Sequence, residues 1–308
     1  MSKIAIVFPG QGSQFVGMGK DFYEKFDSYK ELVGNANKLL GYNLSKLMFD
    51  GPEEELKLTF NTQPALLTMS IGIYNIIKNK LKIDGFAGHS LGEYSAVVAA
   101  DGLSFDDAVL AVHNRGKFMQ EAVPVGVGAM AAVIGASSDK VESLCSKISK
   151  ENHIVEPANY NSPNQLVVAG HREAIDEFIS KAKEIGAKRV VKLPVSAPFH
   201  CSLMKPAEEK MALYLKNIKI SDLNRPIFNN VYAQKELFAE EVRDSLIKQV
   251  SSPVKWTQLI TNMIEDGFTT FIEVGAGNVL TGLIKKINRQ VKTINISKVD
   301  DLNKLEEI

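Results

Sequence analysis

Residues 85–93 read Gly-Phe-Ala-Gly-His-Ser-Leu-Gly-Glu and place Ser90 between Gly88 and Gly92, in the pattern G-x-S-x-G. A serine in a sharp strand-to-helix turn adopts a strained backbone conformation, so the residues two positions away on each side must be small. Such a turn lifts the hydroxyl above the sheet and leaves the next backbone N–H, that of Leu91, as a donor to an oxyanion. The stretch therefore predicts a nucleophilic serine, and the alternative is an incidental tight turn.

The residues on both sides of this stretch favour the nucleophile. Residues 83–87 form a short, mostly apolar run that is typical of a buried strand. Residues 93–100 are rich in alanine and are followed by Asp101-Gly102, which predicts a helix that ends at a glycine. The positive end of that helix dipole would lie beneath a developing oxyanion.

Composition limits the class of protein. The chain has 308 residues, enough for one large domain with a small insert. Its 36 Lys and Arg residues balance 36 Asp and Glu residues, so no global field attracts nucleic acid or an anionic membrane. The two cysteines, Cys145 and Cys201, are compatible with a reducing compartment. No stretch approaches the ~20 apolar residues of a membrane span, and we expect a cytoplasmic protein.

The N-terminal part predicts a strand, a glycine-rich loop and then helices. Residues 4–8 are apolar, as in a central parallel strand. The loop that follows matches neither nucleotide-binding template, because Gly10-x-Gly12 lacks a third glycine and Gly17 is followed by Met18 instead of lysine. We expect this loop to bring Gln11 to the sheet edge. Residues 21–82 predict helices, one of which starts near residue 62.

Residues 104–122 predict a helix whose apolar stripe contains Arg115. A buried arginine is unfavourable unless it is paired. A structural salt bridge or a snorkelling side chain would account for it. A clamp for a substrate carboxylate is the functional alternative, since the guanidinium fork keeps its proton and matches a carboxylate.

The pattern changes between residues 125 and 194. Strands are predicted at 128–134, 154–158, 165–169 and 189–193, and helices at 138–150 and 173–185, with residues 159–164 as a connection. The order β-α-β-β-α-β is that of a ferredoxin-like unit. We predict an α/β fold in which this domain, residues 125–194, is inserted into a larger domain formed by residues 1–124 and 195–308. Helices and strands alternate again after residue 204, and a ligand site is expected in the crevice between the domains.

His200 is the best candidate for a general base among the five histidines. It lies in a proline-bounded loop where the chain returns to the larger domain, whereas His89 adjoins Ser90 and is too close to turn onto its hydroxyl. A structural histidine is the alternative. The neighbouring Cys201 is expected to be inert packing. Gly275-x-Gly277 after a predicted strand also fails the dinucleotide pattern, because Leu280 stands at the third glycine position.

Several short motifs together resemble those of malonyl-CoA:acyl-carrier-protein transacylases over essentially the whole chain. They are Phe8-Pro9-Gly10-Gln11-Gly12-Ser13-Gln14, Gly88-His89-Ser90-Leu91-Gly92-Glu93, Arg115, Ala158-Asn159-Tyr160-Asn161-Ser162-Pro163, Ala197-Pro198-Phe199-His200, Gln249 with Pro253-Val254-Lys255-Trp256, and Glu273-Val274-Gly275. The resemblance implies an α/β-hydrolase-like core with a parallel sheet, in agreement with the insert and core derived above.

The resemblance also implies roles for individual residues. Ser90 would be the nucleophile and His200 its general base, and Arg115 would bind the malonyl carboxylate. The backbone N–H groups of Gln11 and Leu91 would form the oxyanion hole. The carbonyl of Gln249 would orient the histidine, so the site would be a Ser–His dyad. A substrate pocket is expected at His89, Met119, Asn159 and Phe199.

Malonyl-CoA and acyl carrier protein are the implied substrates, in fatty-acid synthesis, with no cofactor and no metal. We expect a monomer that binds no nucleic acid or membrane. Basic residues of the insert are candidate contacts for the acidic carrier protein, although they are equally explained as solvated side chains: Lys181, Lys183, Lys188, Arg189 and Lys192. A polyketide acyltransferase, a serine thioesterase or esterase and a non-catalytic carrier-protein-binding module remain alternatives.

Overall fold

The computed structural model describes residues 2–124, 126–195 and 197–308. The strands are β1 (Lys3–Phe8), β2 (Gly85–Gly88), β3 (Gly128–Ile134), β4 (Val155–Ser162), β5 (Gln165–His171), β6 (Arg189–Lys192), β7 (Ile227–Phe228), β8 (Lys235–Glu236), β9 (Phe268–Val274) and β10 (Lys292–Ile296). The helices are α1 (Lys20–Lys25), α2 (Asp27–Leu40), α3 (Leu44–Asp50), α4 (Glu53–Leu56), α5 (Thr59–Ile77), α6 (Gly92–Ala99), α7 (Phe105–Glu121), α8 (Ser138–Ile148), α9 (Arg172–Lys181), α10 (Lys205–Leu215), α11 (Ala239–Lys248), α12 (Trp256–Glu265) and α13 (Val279–Ile287). Short 3-10 helices cover Ala182–Ile185, Ser202–Met204 and Val299–Glu307.

The larger sheet of the described residues has the strand order β10-β9-β1-β2-β7-β8. Its central strand β1 is buried from Ala5 to Phe8 and runs parallel to β2 and β9, as its continuous apolar sequence predicts. The predicted parallel sheet is found over five strands, but β8 at one edge is antiparallel to β7. The connection between these two strands is too short for the crossover that parallel strands need, so the sheet is mixed.

The second sheet is antiparallel, in the order β4-β5-β3-β6, and α8 and α9 lie between its strands along the chain. Residues 159–164 were expected to be a connection, and this prediction is wrong for most of them. Strand β4 continues to Ser162, with Asn159 opposite Val167 and Tyr160 opposite Leu166. Register irregularities on both sides of this pairing let asparagine-rich sequence remain in the strand.

Helix α5 begins at Thr59, before the predicted start, and contains Pro64 in its interior. Because proline has no N–H, it does not donate to the carbonyl of Phe60 four residues earlier. The ring Nδ1 of His113, on α7, donates to that carbonyl at 2.8 Å. This bond replaces the missing helix bond and helps to join α5 to α7.

The sequence prediction missed β10, which follows α13 and pairs with β9 at the edge of the larger sheet. Its alternating burial, with Ile294 and Ile296 inside, shows a half-buried edge strand. Within the described residues, no helix has the length and apolar character needed to cross a membrane.

Candidate active site

Ser90 lies in the sharp turn between β2 and α6, as the glycine spacing predicts. Its φ is 52°, in the left-handed region, which costs about 1–2 kcal/mol for a residue with a side chain. A Cβ atom at Gly88 would overlap the backbone of Gly92, and one at Gly92 would overlap the carbonyl oxygen of Phe8. Both glycines are therefore required by close backbone approach, which is the physical reason for the G-x-S-x-G pattern.

His200 reaches the serine from the loop that leaves the antiparallel sheet. Its Nε2 lies 2.7 Å from Ser90 Oγ, and its Nδ1 lies 2.9 Å from the carbonyl oxygen of Gln249. Because a carbonyl only accepts, Nδ1 carries the hydrogen and Nε2 is free to accept from the hydroxyl. Burial, followed by the charge of Arg115, lowers the pKa of His200 to about 3, so the ring is neutral and its Nε2 lone pair is available to the hydroxyl.

Arg115 is 1% exposed and points from α7 to the same hydroxyl. Its Nη1 donates to Gln63 Oε1 at 2.8 Å, while Nη2 donates to Gln249 Oε1 at 2.7 Å and to Ser90 Oγ at 3.2 Å. All three acceptors are uncharged, and Nε has no hydrogen-bond partner in the described part of the chain. Burial lowers the pKa of Arg115, but a guanidinium stays protonated. Among the described residues no carboxylate forms a direct ion pair with this buried cation, although the buried carboxyl of Glu93 acts on its pKa from a greater distance.

The sequence predicts two backbone N–H groups as donors to an oxyanion. Among residues 2–124, 126–195 and 197–308, those of Gln11 and Leu91 have no hydrogen-bond acceptor. The loop after β1 approaches the serine turn closely, since a Cβ at Gly10 would lie 2.5 Å from the carbonyl oxygen of His89. The side chain of Gln11 is fixed by a 3.2 Å bond from its Nε2 to Thr59 Oγ1. Both predicted oxyanion donors are thus free to bind an anion.

A cavity between the two sheets brings the predicted residues together. It is lined by Gln11, Gln63, His89, Ser90, Arg115, Met119, Met130, Asn159, Leu193, Val195, Phe199 and His200. Every side chain predicted for the substrate pocket is therefore on its wall. The sequence did not single out Gln63, nor the apolar residues that the antiparallel sheet and its exit contribute, namely Met130, Leu193 and Val195.

His89 lines this cavity but is held away from the serine by other partners. Its Nε2 lies 2.8 Å from Asn161 Oδ1, and its ring is 5.5 Å from that of Trp256. Burial lowers the pKa of His89. The ring therefore serves as a neutral wall of the pocket.

Two features that the sequence did not favour as functional also lie outside the cavity. Cys201 is buried, with its pKa raised to about 12 by burial, so its thiol is unreactive. At the second glycine-rich loop, the carboxylate of Glu273 accepts the N–H groups of Leu280 at 3.0 Å and Thr281 at 2.7 Å. This carboxylate occupies the helix N-terminus where a phosphate would bind. In the described parts of the chain, no three His, Cys, Asp or Glu residues gather into a metal site.

Comparison with known proteins gives consistent matches. A family model described as acyl transferase domain matches residues 5–302. A malonyl CoA-acyl carrier protein transacylase of Bacillus subtilis (strain 168) is 48% identical over 298 residues, covering 96% of this chain and 94% of that protein. An acyl carrier protein S-malonyltransferase of Vibrio cholerae, known from a crystal structure, superposes with a TM-score of 0.96 at 42% identity, covering 99% of this chain and 100% of that one. A malonyl-transacylase solved with a type II polyketide acyl-carrier protein gives a TM-score of 0.97 at 42% identity over 100% of both chains.

Proposed function

This chain belongs to the malonyl CoA-acyl carrier protein transacylases of the acyl transferase family, and we propose that it moves malonyl groups from malonyl-CoA to acyl carrier protein. One observation carries the proposal: a neutral imidazole and a buried guanidinium with no direct carboxylate partner both lie within 3.2 Å of the Ser90 hydroxyl oxygen. In a malonyl thioester the carboxylate carbon lies only two bonds from the carbon under attack. A cation beside the nucleophile is therefore placed where that carboxylate must be.

The first half-reaction acylates the enzyme. Ser90 Oγ attacks the thioester carbon as its proton passes to His200 Nε2, and the carbonyl oxygen becomes an oxyanion. The N–H groups of Gln11 and Leu91 bind that oxyanion, and each such donor typically contributes about 3 kcal/mol. The C–S bond then breaks, and the proton passes from His200 to the sulfur, which gives CoA and a malonyl-serine ester.

The second half-reaction runs the same steps in reverse with a different thiol. The phosphopantetheine thiol of the carrier protein gives its proton to His200 and attacks the ester carbon. The bond from Ser90 Oγ to that carbon breaks, and His200 returns the proton to the serine. Arg115 holds the malonyl carboxylate throughout, so the ester stays in a buried cavity that favours the thiol over water.

Pocket shape supports selection of malonyl over bulkier groups. Phe199 is 7% exposed and Met119 is 1% exposed, and both line the cavity. A methyl branch at the second malonyl carbon would have to displace such side chains, and close-packed interiors resist this. Neutral acetyl groups would leave the guanidinium without an anion.

Family membership also supports the identity of the substrates and the domain organisation. Malonyl-CoA and acyl carrier protein are the substrates, in fatty-acid synthesis, and the relative solved with a carrier protein supports that partner. We propose that residues 1–124 and 195–308 form an α/β-hydrolase-like core, with the serine after a parallel strand. Residues 125–194 form a ferredoxin-like insert, supported by the order of β3, α8, β4, β5, α9 and β6. The monomeric state, the cytoplasmic location and the absence of a cofactor stay predictions.

The docking surface for the carrier protein also stays a prediction. Two of the five basic residues named for it form ion pairs on the insert itself: Lys181 with Glu177 and Lys192 with Asp176, both at 2.7 Å. Exposed pairs of this kind contribute little stability and exchange easily with other partners.

The test is an intact-mass measurement after incubation with malonyl-CoA, acetyl-CoA or methylmalonyl-CoA. We expect a malonyl adduct on wild-type protein, none on Ser90→Ala, and an unchanged adduct on Ser95→Ala, which alters a buried serine of α6 outside the cavity. The adduct should disappear when phosphopantetheinylated carrier protein is added and persist with carrier protein that lacks the arm. A wild-type protein without an adduct would contradict the proposal.

The same assay separates the alternatives. A thioesterase or esterase would release free malonate in place of a stable adduct, and a binding module would form no adduct. To separate the two pathways, the rate of malonyl transfer is compared between a carrier protein of fatty-acid synthesis and one of a polyketide pathway.

A further inference from the structure

Asn230 lies directly behind the serine turn, although it is distant in sequence. Strand β7 pairs with β2 so that Phe228 is opposite Ala87. The residues that follow the two strands therefore leave the sheet side by side. Asn230 is fully buried and is not on the wall of the cavity.

The side chain of Asn230 bonds to the backbone on both sides of the turn. Its Oδ1 accepts the N–H of Ser90 at 2.6 Å, and its Nδ2 donates to the carbonyl of Gly88 at 2.7 Å. The ladder between β2 and β7 ends at Ala87 and Phe228, so it does not extend to the Gly88 carbonyl or to the Ser90 N–H. The amide thus provides one acceptor and one donor to two buried backbone groups that need them.

Asn230 is itself held in place by its own backbone. Its N–H donates to Glu93 Oε2 at 2.7 Å, and its carbonyl accepts the N–H of Lys255 at 2.9 Å. Glu93 lies in the first turn of α6 and is fully buried. The helix that begins after the serine therefore anchors the same asparagine that bonds to the serine.

These contacts bear on catalysis because Ser90 has a left-handed backbone. Its backbone torsions set the direction of Oγ towards His200 and the direction of the Leu91 N–H. A strained conformation persists only where its surroundings fix it.

We propose that Asn230 is a positioning residue that fixes the turn for attack, with Glu93 fixing Asn230 in turn. This inference rests on the proposed role of Ser90 as the nucleophile. It assigns to Asn230 an effect on the rate of acylation and none on the binding of malonyl-CoA, because the hydrogen bonds of Arg115 go to Gln63, Ser90 and Gln249 and not to Asn230.

The experiment compares Asn230→Ala with Asn229→Ala. Asn229 is a matched control, since it is also buried and bonds to Glu236 Oε1 at 2.8 Å and to the Gln234 carbonyl, away from the serine turn. Single-turnover acylation is measured by rapid quench and intact mass over a range of malonyl-CoA concentrations. We expect the maximal rate of Asn230→Ala to fall about 100-fold, the loss typical of a reacting group displaced by about 1 Å, with half-saturation unchanged. Asn229→Ala should stay close to wild type after correction for the folded fraction.

A second variant and a second reagent guard against simple unfolding. Asn230→Asp keeps the volume and the acceptor for Ser90 but loses the donor to Gly88, and its acylation rate should also fall with half-saturation unchanged. Labelling of the serine by phenylmethylsulfonyl fluoride, which needs no malonyl group, should slow in parallel. Equal losses in the variants of Asn229 and Asn230, or a loss confined to half-saturation, would overturn the inference. If wild-type protein forms no malonyl adduct, the proposed function itself fails.

Discussion

Replacing Arg115 by methionine tests whether the buried guanidinium recognises the malonyl carboxylate. The substitution keeps an unbranched side chain of similar length and removes the charge. In the wild-type protein the guanidinium makes hydrogen bonds to Gln63, Gln249 and Ser90, and to no carboxylate of the described residues. The substrate would supply the missing anion.

The size of the effect follows from burial. Removing one partner of a buried, hydrogen-bonded charge pair costs about 3–5 kcal/mol. At about 1.4 kcal/mol for each tenfold change, we expect kcat/KM for malonyl-CoA to fall roughly 100- to 4,000-fold in Arg115→Met. Acetyl-CoA brings no carboxylate, so its kcat/KM should stay the same or increase.

The assay is transfer to phosphopantetheinylated carrier protein with each acyl-CoA, supported by thermal unfolding to verify the fold. Lys117→Met is the matched control, because Lys117 lies on the same helix with its side chain exposed and loses the same charge. This variant should have the wild-type kcat/KM for both malonyl-CoA and acetyl-CoA. Equal losses for malonyl-CoA and acetyl-CoA in Arg115→Met would refute the reasoning, since the arginine would then act on the serine and not on the carboxylate.

Three further outcomes are expected. Burial raises the pKa of the Glu236 carboxyl to about 9 in the folded protein. A carboxyl with a raised pKa stabilises the fold fully at pH values below its pKa in the unfolded chain, and this stabilisation is lost as the pH rises to its pKa in the folded protein. The free energy of unfolding should thus fall between pH 7 and 9, by at most about 1.4 kcal/mol per pH unit, and Glu236→Gln should flatten that fall in urea titrations. Gln249→Ala keeps the carbonyl that orients His200 but loses the side-chain bonds, so the malonyl acylation rate should fall about 10- to 100-fold. Phe199→Ala should raise the ratio of methylmalonyl adduct to malonyl adduct about 10-fold or more. This is the discrimination that one extra methylene group typically produces in an apolar pocket.

For each of these three predictions, one result would contradict it. An unchanged slope of stability with pH in Glu236→Gln would mean that other groups titrate in that range. A Gln249→Ala protein with wild-type kinetics would show that only its carbonyl matters. An unchanged adduct ratio in Phe199→Ala would place the methyl branch elsewhere in the cavity.

Many residues of the site could be predicted from short stretches of sequence, because the local backbone geometry allows only certain residue types at those positions. Gly88 and Gly92 predicted the serine turn, since only glycine permits the close backbone approach found there. The position of Arg115 on an apolar helix face predicted its burial. Residues whose role depends on distant partners gave no such signal: Gln63 is an ordinary polar residue of α5, and Asn230 follows a strand of two residues.

The fold shows the same division. Strongly apolar runs such as β1 and β3 were predicted with nearly correct bounds, because burial on both faces dictates their composition. The edge strand β10 and the end of β4 were missed, because their sequences alternate or are rich in asparagine and only their neighbours make them strands.

The sequence by itself indicated the chemistry proposed for this protein, because the predicted nucleophile, base, cation and tight turn each lie within a few adjacent residues. Tertiary structure alone decided their convergence, since Gln249 bonds through its carbonyl to His200 and through its side chain to Arg115 and to the Ser90 carbonyl. The physical reason is that backbone strain and close approach are short-range and fix residue types locally. Hydrogen bonds between distant segments depend on packing that no single segment specifies.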